Sequence, residues 1–365
     1  MSNNKKTIIF SGGGTGGSVT PLLAIASELL KERSDLNLLF VGSADGPERE
    51  LVANFENKKI RFLTIPSGKW RRYFSSSNFF DLFKIVGAFF VSLKVLYKEK
   101  PELVVSAGSF VSVPLVWAAA CLRIPILIHQ QDIRPGFANK LMAPFARVVT
   151  ITFEKSFIDY GPRAVLTGNP LKDISSYQTK RIETRNRYGF KIDEPLVLVV
   201  GGGTGSLAIN NLVVKALPNL LSICQVVHVT GYGKMIKADI KSKDYQVFEF
   251  LNQTEILSLM AAADLVISRA GLGVLTELSS LAKPVILIPI PNSHQEENAA
   301  VFEESDACIL LNQNSLNSEI LFTEVKRILA DDKLRGKLSH NISKIMKPNA
   351  ARNIAAIIFE IVKTK

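Results

Sequence analysis

Thr7-Ile8-Ile9-Phe10 leads through Ser11 into Gly12-Gly13-Gly14-Thr15-Gly16-Gly17, and a helical pattern opens at Pro21. An apolar strand thus runs into a loop almost without side chains, and the loop runs into a helix N-terminus. Backbone N–H groups and the positive end of a helix dipole then point at one spot, where an anion, most often a phosphate, is the natural occupant. The device returns half a chain later as Leu196-Val197-Leu198-Val199-Val200, Gly201-Gly202-Gly203-Thr204-Gly205-Ser206 and Leu207-Ala208-Ile209-Asn210. Two such units predict two similar α/β domains with a ligand between them.

The chain has 365 residues, enough for two domains of ordinary size. Hydrophobic residues at 47% and charged residues at 21% describe a globular protein rather than a disordered one. Cys121, Cys224 and Cys308 lie far apart, in or beside apolar runs, which predicts buried thiols rather than disulfides or zinc ligands. No long apolar stretch follows Met1, so a cytoplasmic location is expected. The net charge of +11 suits an anionic partner, and with no nucleic-acid motif visible, membrane and phosphate lead.

After the first loop, Leu22, Ile25, Ala26, Leu29 and Leu30 recur at helical spacing. Strands are expected at Leu36–Val41, 103–105, 126–128 and 148–151, then at 226–229, 247–251, 265–267 and 285–288. The second strand ends in Gly42-Ser43, where a dinucleotide-binding domain would want an acid for the ribose, so a nicotinamide enzyme is disfavoured. Ser67 to Ser75 mixes Lys69, Trp70, Arg71, Arg72, Tyr73 and Phe74 in a loop that suits either a lipid interface or a plain surface. The helix after it, Phe79 to Tyr97, has an apolar run far short of the roughly 20 residues of a membrane span, and its body is read as core. Thr167-Gly168-Asn169-Pro170 marks a turn and the boundary between halves, giving domains at 1–166 and 167–345. The last helix, within about 346–365, carries Ile354, Ile357, Ile358, Ile361 and Val362 on one face and is expected to pack back on the first domain.

In the second half, three strand-end elements would converge on one crevice: the 201–206 loop, the 268–277 loop-to-helix, and Gln295. Two helix N-termini beside a glycine loop can hold a diphosphate, Glu277 can accept from ribose hydroxyls, and Gln295 can both donate to and accept from a sugar. The histidines are scattered and no Asp-x-Asp pair occurs, so neither a metal nor another cofactor is expected. Leaving-group charge would fall to helix dipoles, backbone N–H groups and Lys172.

Several motifs, in this order along nearly the whole chain, resemble the MurG family of peptidoglycan N-acetylglucosaminyltransferases. They are Gly13 to Gly17, Phe110 to Pro114, His129-Gln130-Gln131-Asp132 with Pro135-Gly136 and Asn139-Lys140, Thr167 to Pro170, the 201–206 loop, Ser268 to Gly271 with Glu277, and His294-Gln295 with Asn298-Ala299. The resemblance implies a GT-B fold, two Rossmann-like parallel-sheet domains facing across a cleft. It also implies an inverting transfer of GlcNAc from UDP-GlcNAc to the MurNAc 4-hydroxyl of lipid I, an undecaprenyl-diphosphate-linked MurNAc-peptide, forming lipid II. The enzyme would sit peripherally on the cytoplasmic side of the cell membrane, against its anionic surface.

By position, the Leu251 backbone would meet uracil and Glu277 the ribose. Leu272, Gly273, Val274, Leu275 and Thr276 would flank the diphosphate, with Gly203 and Thr204 closing over it. Gln295 would hold the GlcNAc hydroxyls, and Thr15, Gly16 and Gly17 would face donor sugar and acceptor diphosphate. This sequence departs from the family pattern at five positions: Ser18 stands where a His is usual, Gln130 for the acid, Asp132 for Asn, Lys172 for Arg and Gly203 for Ser. Asp132 then either takes the proton of the acceptor hydroxyl or only binds the donor sugar. The rival readings are a GT-B transferase acting on another lipid, a UDP-GlcNAc 2-epimerase-like isomerase, and a non-catalytic nucleotide-binding subunit.

Overall fold

The structure is a computed structural model that describes residues 6–55, 59–66, 77–236 and 242–363, those at 77–84 as backbone only. The basic and aromatic loop read at 67–75 lies outside the described residues. The chain divides into two compact units, Met1–Lys172 with Lys347–Lys365, and Asp173–Met346.

In the first unit the described strands are β1 (Thr7–Ser11), β2 (Asn37–Gly42), β3 (Ile60–Thr64), β4 (Leu103–Ser106), β5 (Ile126–Gln130), β6 (Val148–Ile151) and β7 (Ala164–Leu166). They form one sheet in the order β3-β2-β1-β4-β5-β6-β7, and each neighbouring pair is parallel. Strands buried on both faces read as unbroken apolar runs, which is what Thr7-Ile8-Ile9-Phe10 is. Ile8 and Phe10 face one layer, built from the helices Thr20–Glu32 and Ala350–Lys363. Ile9 faces the other, under the helices Ser77–Glu99 and Ser112–Cys121. The C-terminal helix joins the first layer through Ile354, Ala355, Ile358, Ile361 and Val362, and Lys6 Nζ donates to Val362 O at 2.9 Å.

Two expectations are corrected here. The helix Ser77–Glu99 buries Ala88, Ser92 and Leu96, yet Val86, Phe90 and Tyr97 stand exposed. Its body is therefore core on one side only. Cys121, at the end of a helix on the unit's surface, is exposed, while Cys224 and Cys308 are buried as expected.

The second unit repeats the scheme with β8 (Leu196–Val200), β9 (Gln225–Val229), β10 (Tyr245–Phe248), β11 (Leu265–Ser268), β12 (Val285–Leu287) and β13 (Ile309–Leu310), ordered β10-β9-β8-β11-β12-β13 and again parallel. In both sheets the order reverses beside the strand that precedes a glycine loop, between β1 and β4 and between β8 and β11. Ligands of open α/β sheets bind at that switch point, off the strands' carboxyl ends.

Candidate functional site

The second unit places four segments around its switch point. After β8, Gly202 and Gly205 take φ values of +87° and +73°, and the loop lies so close to the β9 end that a Cβ on Gly231 would sit 2.6 Å from Gly205 Cα. Only glycine allows this approach. Lys234 Nζ donates to the carbonyls of Thr204 (2.8 Å) and Gly205 (3.0 Å), which fixes the loop from behind. Gly203 and Thr204 form its exposed tip. Ser206 caps the helix Leu207–Leu220 by accepting from Ile209 N–H.

After β11, Gly271 opens the helix Leu272–Ser280 with extended backbone and no side-chain cap. The first-turn N–H groups of Leu272, Gly273 and Val274 are thus left for a ligand, since an α-helix cannot satisfy them itself. The side chains of Leu272 and Leu275 point into the core, and the Thr276 hydroxyl donates to Leu272 O at 2.7 Å. Glu277 is half-buried; burial pushes its carboxyl up to about 7, against a hydrogen bond from Gln253 that favours the charged form. Gln253 begins the helix after Leu251, so the Leu251 backbone and the Glu277 carboxyl share a neighbourhood. Beside Leu251, the exposed rings of Tyr232 and Phe250 stack with centroids 5.0 Å apart and 12° between planes. Gln295, one residue into the helix His294–Glu304, accepts from Ile290 N–H at 3.2 Å, and its Nε2 faces Gly271. Arg269, buried beneath the 201–206 loop, donates to Ser206 Oγ at 2.7 Å.

The first unit treats its glycine loop differently. Glu48, a fully buried carboxylate at the start of the helix Glu48–Ala53, accepts from Gly14 N–H (3.1 Å), from Ser43 N–H (2.8 Å) and from the Ser43 hydroxyl. Ser18 Oγ accepts from Gly13 N–H and donates to Gly13 O, both at 3.0 Å. An internal anion and a hydroxyl therefore hold the amides of Gly13 and Gly14, where the sequence suggested a phosphate. Thr15 and Gly17 remain exposed at the head of the following helix, with Gly16 half-exposed.

At the end of β5, His129 is buried, with Nδ1 3.0 Å from Thr150 Oγ1 and Nε2 3.0 Å from Asn169 Oδ1; burial lowers its pKa to about 4 and keeps it neutral. Gln130 is buried as well. Its Nε2 donates to Asp132 O (2.6 Å) and Arg134 O (3.0 Å), while its Oε1 accepts from Asn139 Nδ2 (2.6 Å) and the Tyr160 hydroxyl (2.7 Å). A neutral amide with two donors and two acceptors satisfied shapes the loop and carries no proton. Asp132 is the half-exposed carboxylate that this loop presents, and Lys172 is exposed where the chain leaves the first unit for the second.

Residues 8–151 match the glycosyltransferase family 28 N-terminal domain, and residues 196–354 match the family 28 C-terminal domain. The chain belongs to glycosyltransferase family 28. A relative from Clostridium botulinum (strain Langeland), named UDP-N-acetylglucosamine--N-acetylmuramyl-(pentapeptide) pyrophosphoryl-undecaprenol N-acetylglucosamine transferase, is 39% identical over 363 residues, 98% of this chain and 100% of its own length. The fold is that of MurG from Acinetobacter baumannii, at a TM-score of 0.75 and 24% identity over 97% of this chain and 99% of that one. The UDP-GlcNAc 2-epimerase of Neisseria meningitidis, bound to UDP-GlcNAc, also shares it, with a TM-score of 0.69 and 15% identity over 99% of this chain and 100% of that one. The GT-B architecture alone therefore does not separate transfer from isomerisation, whereas the full-length kinship does.

Within this family 28 chain, the second unit gathers the 203–204 tip, the 272–274 amides and Gln295 on the carboxyl side of one sheet, with Leu251 and Glu277 beside each other. The first unit keeps Thr15, Gly16 and Gly17 near its own switch point and Asp132 at the end of β5. Glu48 is not among the residues the sequence singles out, and Arg269 enters there only inside the Ser268 to Gly271 motif, with no role of its own. Their only signal there is position, one at a helix start and one after a strand end.

Proposed function

We propose that the chain transfers GlcNAc from UDP-GlcNAc, with inversion at C1, to the 4-hydroxyl of MurNAc on an undecaprenyl-diphosphate-linked MurNAc-peptide. The observation that carries this reading is the end-to-end 39% identity to transferases named for that reaction. The site chemistry supports it. In the second unit, the stacked Tyr232 and Phe250 rings and the Leu251 backbone offer a flat surface and hydrogen bonds to uracil. Glu277 accepts from the ribose hydroxyls, and the uncapped 272–274 amides receive the diphosphate, with Gly203 and Thr204 over it. Gln295 Nε2 donates to a GlcNAc hydroxyl.

The acceptor O4 attacks C1 as the bond from C1 to the diphosphate oxygen breaks. The electron pair leaves with UDP, and the O4 proton passes to Asp132, which we assign as general base. Two observations support this choice: Ser18 is tied to Gly13, and the Gln130 amide accepts no proton at neutral pH. Developing charge on UDP is met by main-chain dipoles and by Lys172. Thr15, Gly16 and Gly17 bind the acceptor diphosphate through the exposed part of the first loop.

We place the enzyme peripherally on the cytoplasmic membrane face. Among the described residues no helix is long and apolar enough to cross a membrane. Val86 and Phe90 stand 50% and 64% exposed on the helix Ser77–Glu99, and the helix it packs against, Ser112–Cys121, also touches the one that carries exposed Phe137. An apolar patch on a chain of net charge +11 suits an anionic bilayer. The test is UDP release from UDP-GlcNAc with and without a lipid I analogue, with UDP-GalNAc and UDP-glucose as controls. Release that requires the lipid and prefers UDP-GlcNAc supports the reading. Conversion of UDP-GlcNAc to its 2-epimer without lipid, or binding without turnover, overturns it.

A further inference from the structure

Among the described residues of the second unit two arginines are buried, and they are partnered differently. Arg185 Nη2 lies 2.6 Å from Asp264 Oδ2, an ion pair before the start of β11. Arg269, after the end of that strand, is 6% exposed. Its Nη1 donates to Ile288 O (2.8 Å) and Pro289 O (3.0 Å), its Nη2 to Ser206 Oγ (2.7 Å) and Gln313 Oε1 (2.6 Å). All four acceptors are neutral. Its Nε is buried and has no hydrogen-bond partner. A permanent cation held by dipoles alone is costly to a fold unless a negative charge comes to it.

The position says which charge. Arg269 lies at the switch point between β8 and β11, its Cβ 3.9 Å from where a Cβ on Gly202 would be. It holds the serine that caps the helix Leu207–Leu220, and three residues on begins the uncapped helix whose first N–H groups are left for a ligand. We propose that Arg269 is the fixed countercharge of a nucleoside-diphosphate site, a positioning residue that acts through Ser206 and the 201–206 loop without touching the ligand. This deepens the function proposed above and rests on it. The charge is balanced when a diphosphate binds, and it favours the products further as the C1–O bond breaks and the electron pair settles on the leaving phosphate. Being buried, it is screened little by salt.

The test is calorimetric binding of UDP and of uridine to the full chain, wild type, Arg269→Gln and Arg269→Lys. The neutral variant should lose about ten- to a hundredfold in UDP affinity while uridine affinity stays within about twofold, and Lys should restore most of the preference for UDP. Equal losses for UDP and uridine would make Arg269 a structural tie and overturn the inference alone. Failure of the wild type to bind UDP at all would overturn the functional reading and this inference with it. Should Arg269→Gln not fold, inorganic diphosphate added to the wild type in high salt serves instead. A raised melting temperature supports the countercharge, and no shift refutes it.

Discussion

Glu277 yields a prediction whose sign and size follow from its burial. In the folded chain its carboxyl is pushed up to about 7 from the ordinary 4.5, by burial chiefly, with the Gln253 hydrogen bond opposing. Between those two values the folded chain holds a proton that the unfolded chain has released. Stability must then fall as pH rises: the contribution is complete below pH 4.5, is lost through about 7 and is flat above it. A rise from 4.5 to about 7 corresponds to about 3 kcal/mol, an upper bound for a half-buried group. Glu277→Gln keeps the size of the side chain and removes the titration. Urea denaturation of both proteins from pH 4.5 to pH 8 should show the wild type losing about 1.5 to 3 kcal/mol relative to the variant, with the loss complete by about pH 8. Ligand binding should reverse the trend, because ribose hydroxyls donate to the carboxylate. Uridine, which has no phosphate to titrate, should bind more tightly to the wild type as pH passes 7 and with constant affinity to the variant. Parallel stability curves would refute the burial-driven rise, and uridine affinity equally flat in both proteins would refute the assignment of Glu277 to the ribose.

Three further outcomes are expected. Asp264→Ala strips the buried Arg185 of its carboxylate and should cost about 3–5 kcal/mol by chemical denaturation, while the folded variant's UDP affinity stays unchanged because the pair lies at the opposite end of β11 from the site. Asp132→Asn should lower kcat by about 10²- to 10⁴-fold with little change in KM for the donor; near-normal turnover at saturating substrates would reduce Asp132 to a binding residue. Val86→Asp combined with Phe90→Asp, both on exposed positions, should abolish sedimentation with anionic vesicles and leave turnover of a detergent-soluble acceptor intact. Unchanged sedimentation would move the membrane face elsewhere.

The sheets were legible because fully buried parallel strands carry unbroken apolar runs, as at 196–200 and 103–105. β3, β7 and β13 were not, being sheet-edge strands of only two to five residues, with mixed polarity in β3. The expected strand at 247–251 lies at 245–248 instead, since Asn252 caps the next helix through a capping box with Glu255 and the chain must turn before it. Residues named as contacts by their place in a motif divide by direction. Gly273 and Val274 present backbone, whereas Leu275 and Thr276 in the same turn face inward, a consequence of helical periodicity that a contiguous motif conceals.

The two glycine loops show most clearly what sequence leaves open. Both follow a central strand, both precede a helix, and by pattern both suit an anion. What separates them is carried by residues far away in the chain. Glu48, 34 residues beyond Gly14, brings a carboxylate to the first loop, so part of that loop is already neutralised from within. Arg269, 63 residues beyond Ser206, brings a cation to the second, so that loop gains attraction for an external anion. Similar backbone devices are thus biased in opposite senses by one buried charge each. A loop backed by a carboxylate can hold shape and offer its exposed amides to a second substrate, and a loop backed by a guanidinium can grip a diphosphate and stabilise it as it leaves. On this argument the donor site proposed above falls in the second unit because of where the charge is buried, and the glycines alone would have left the choice undecided.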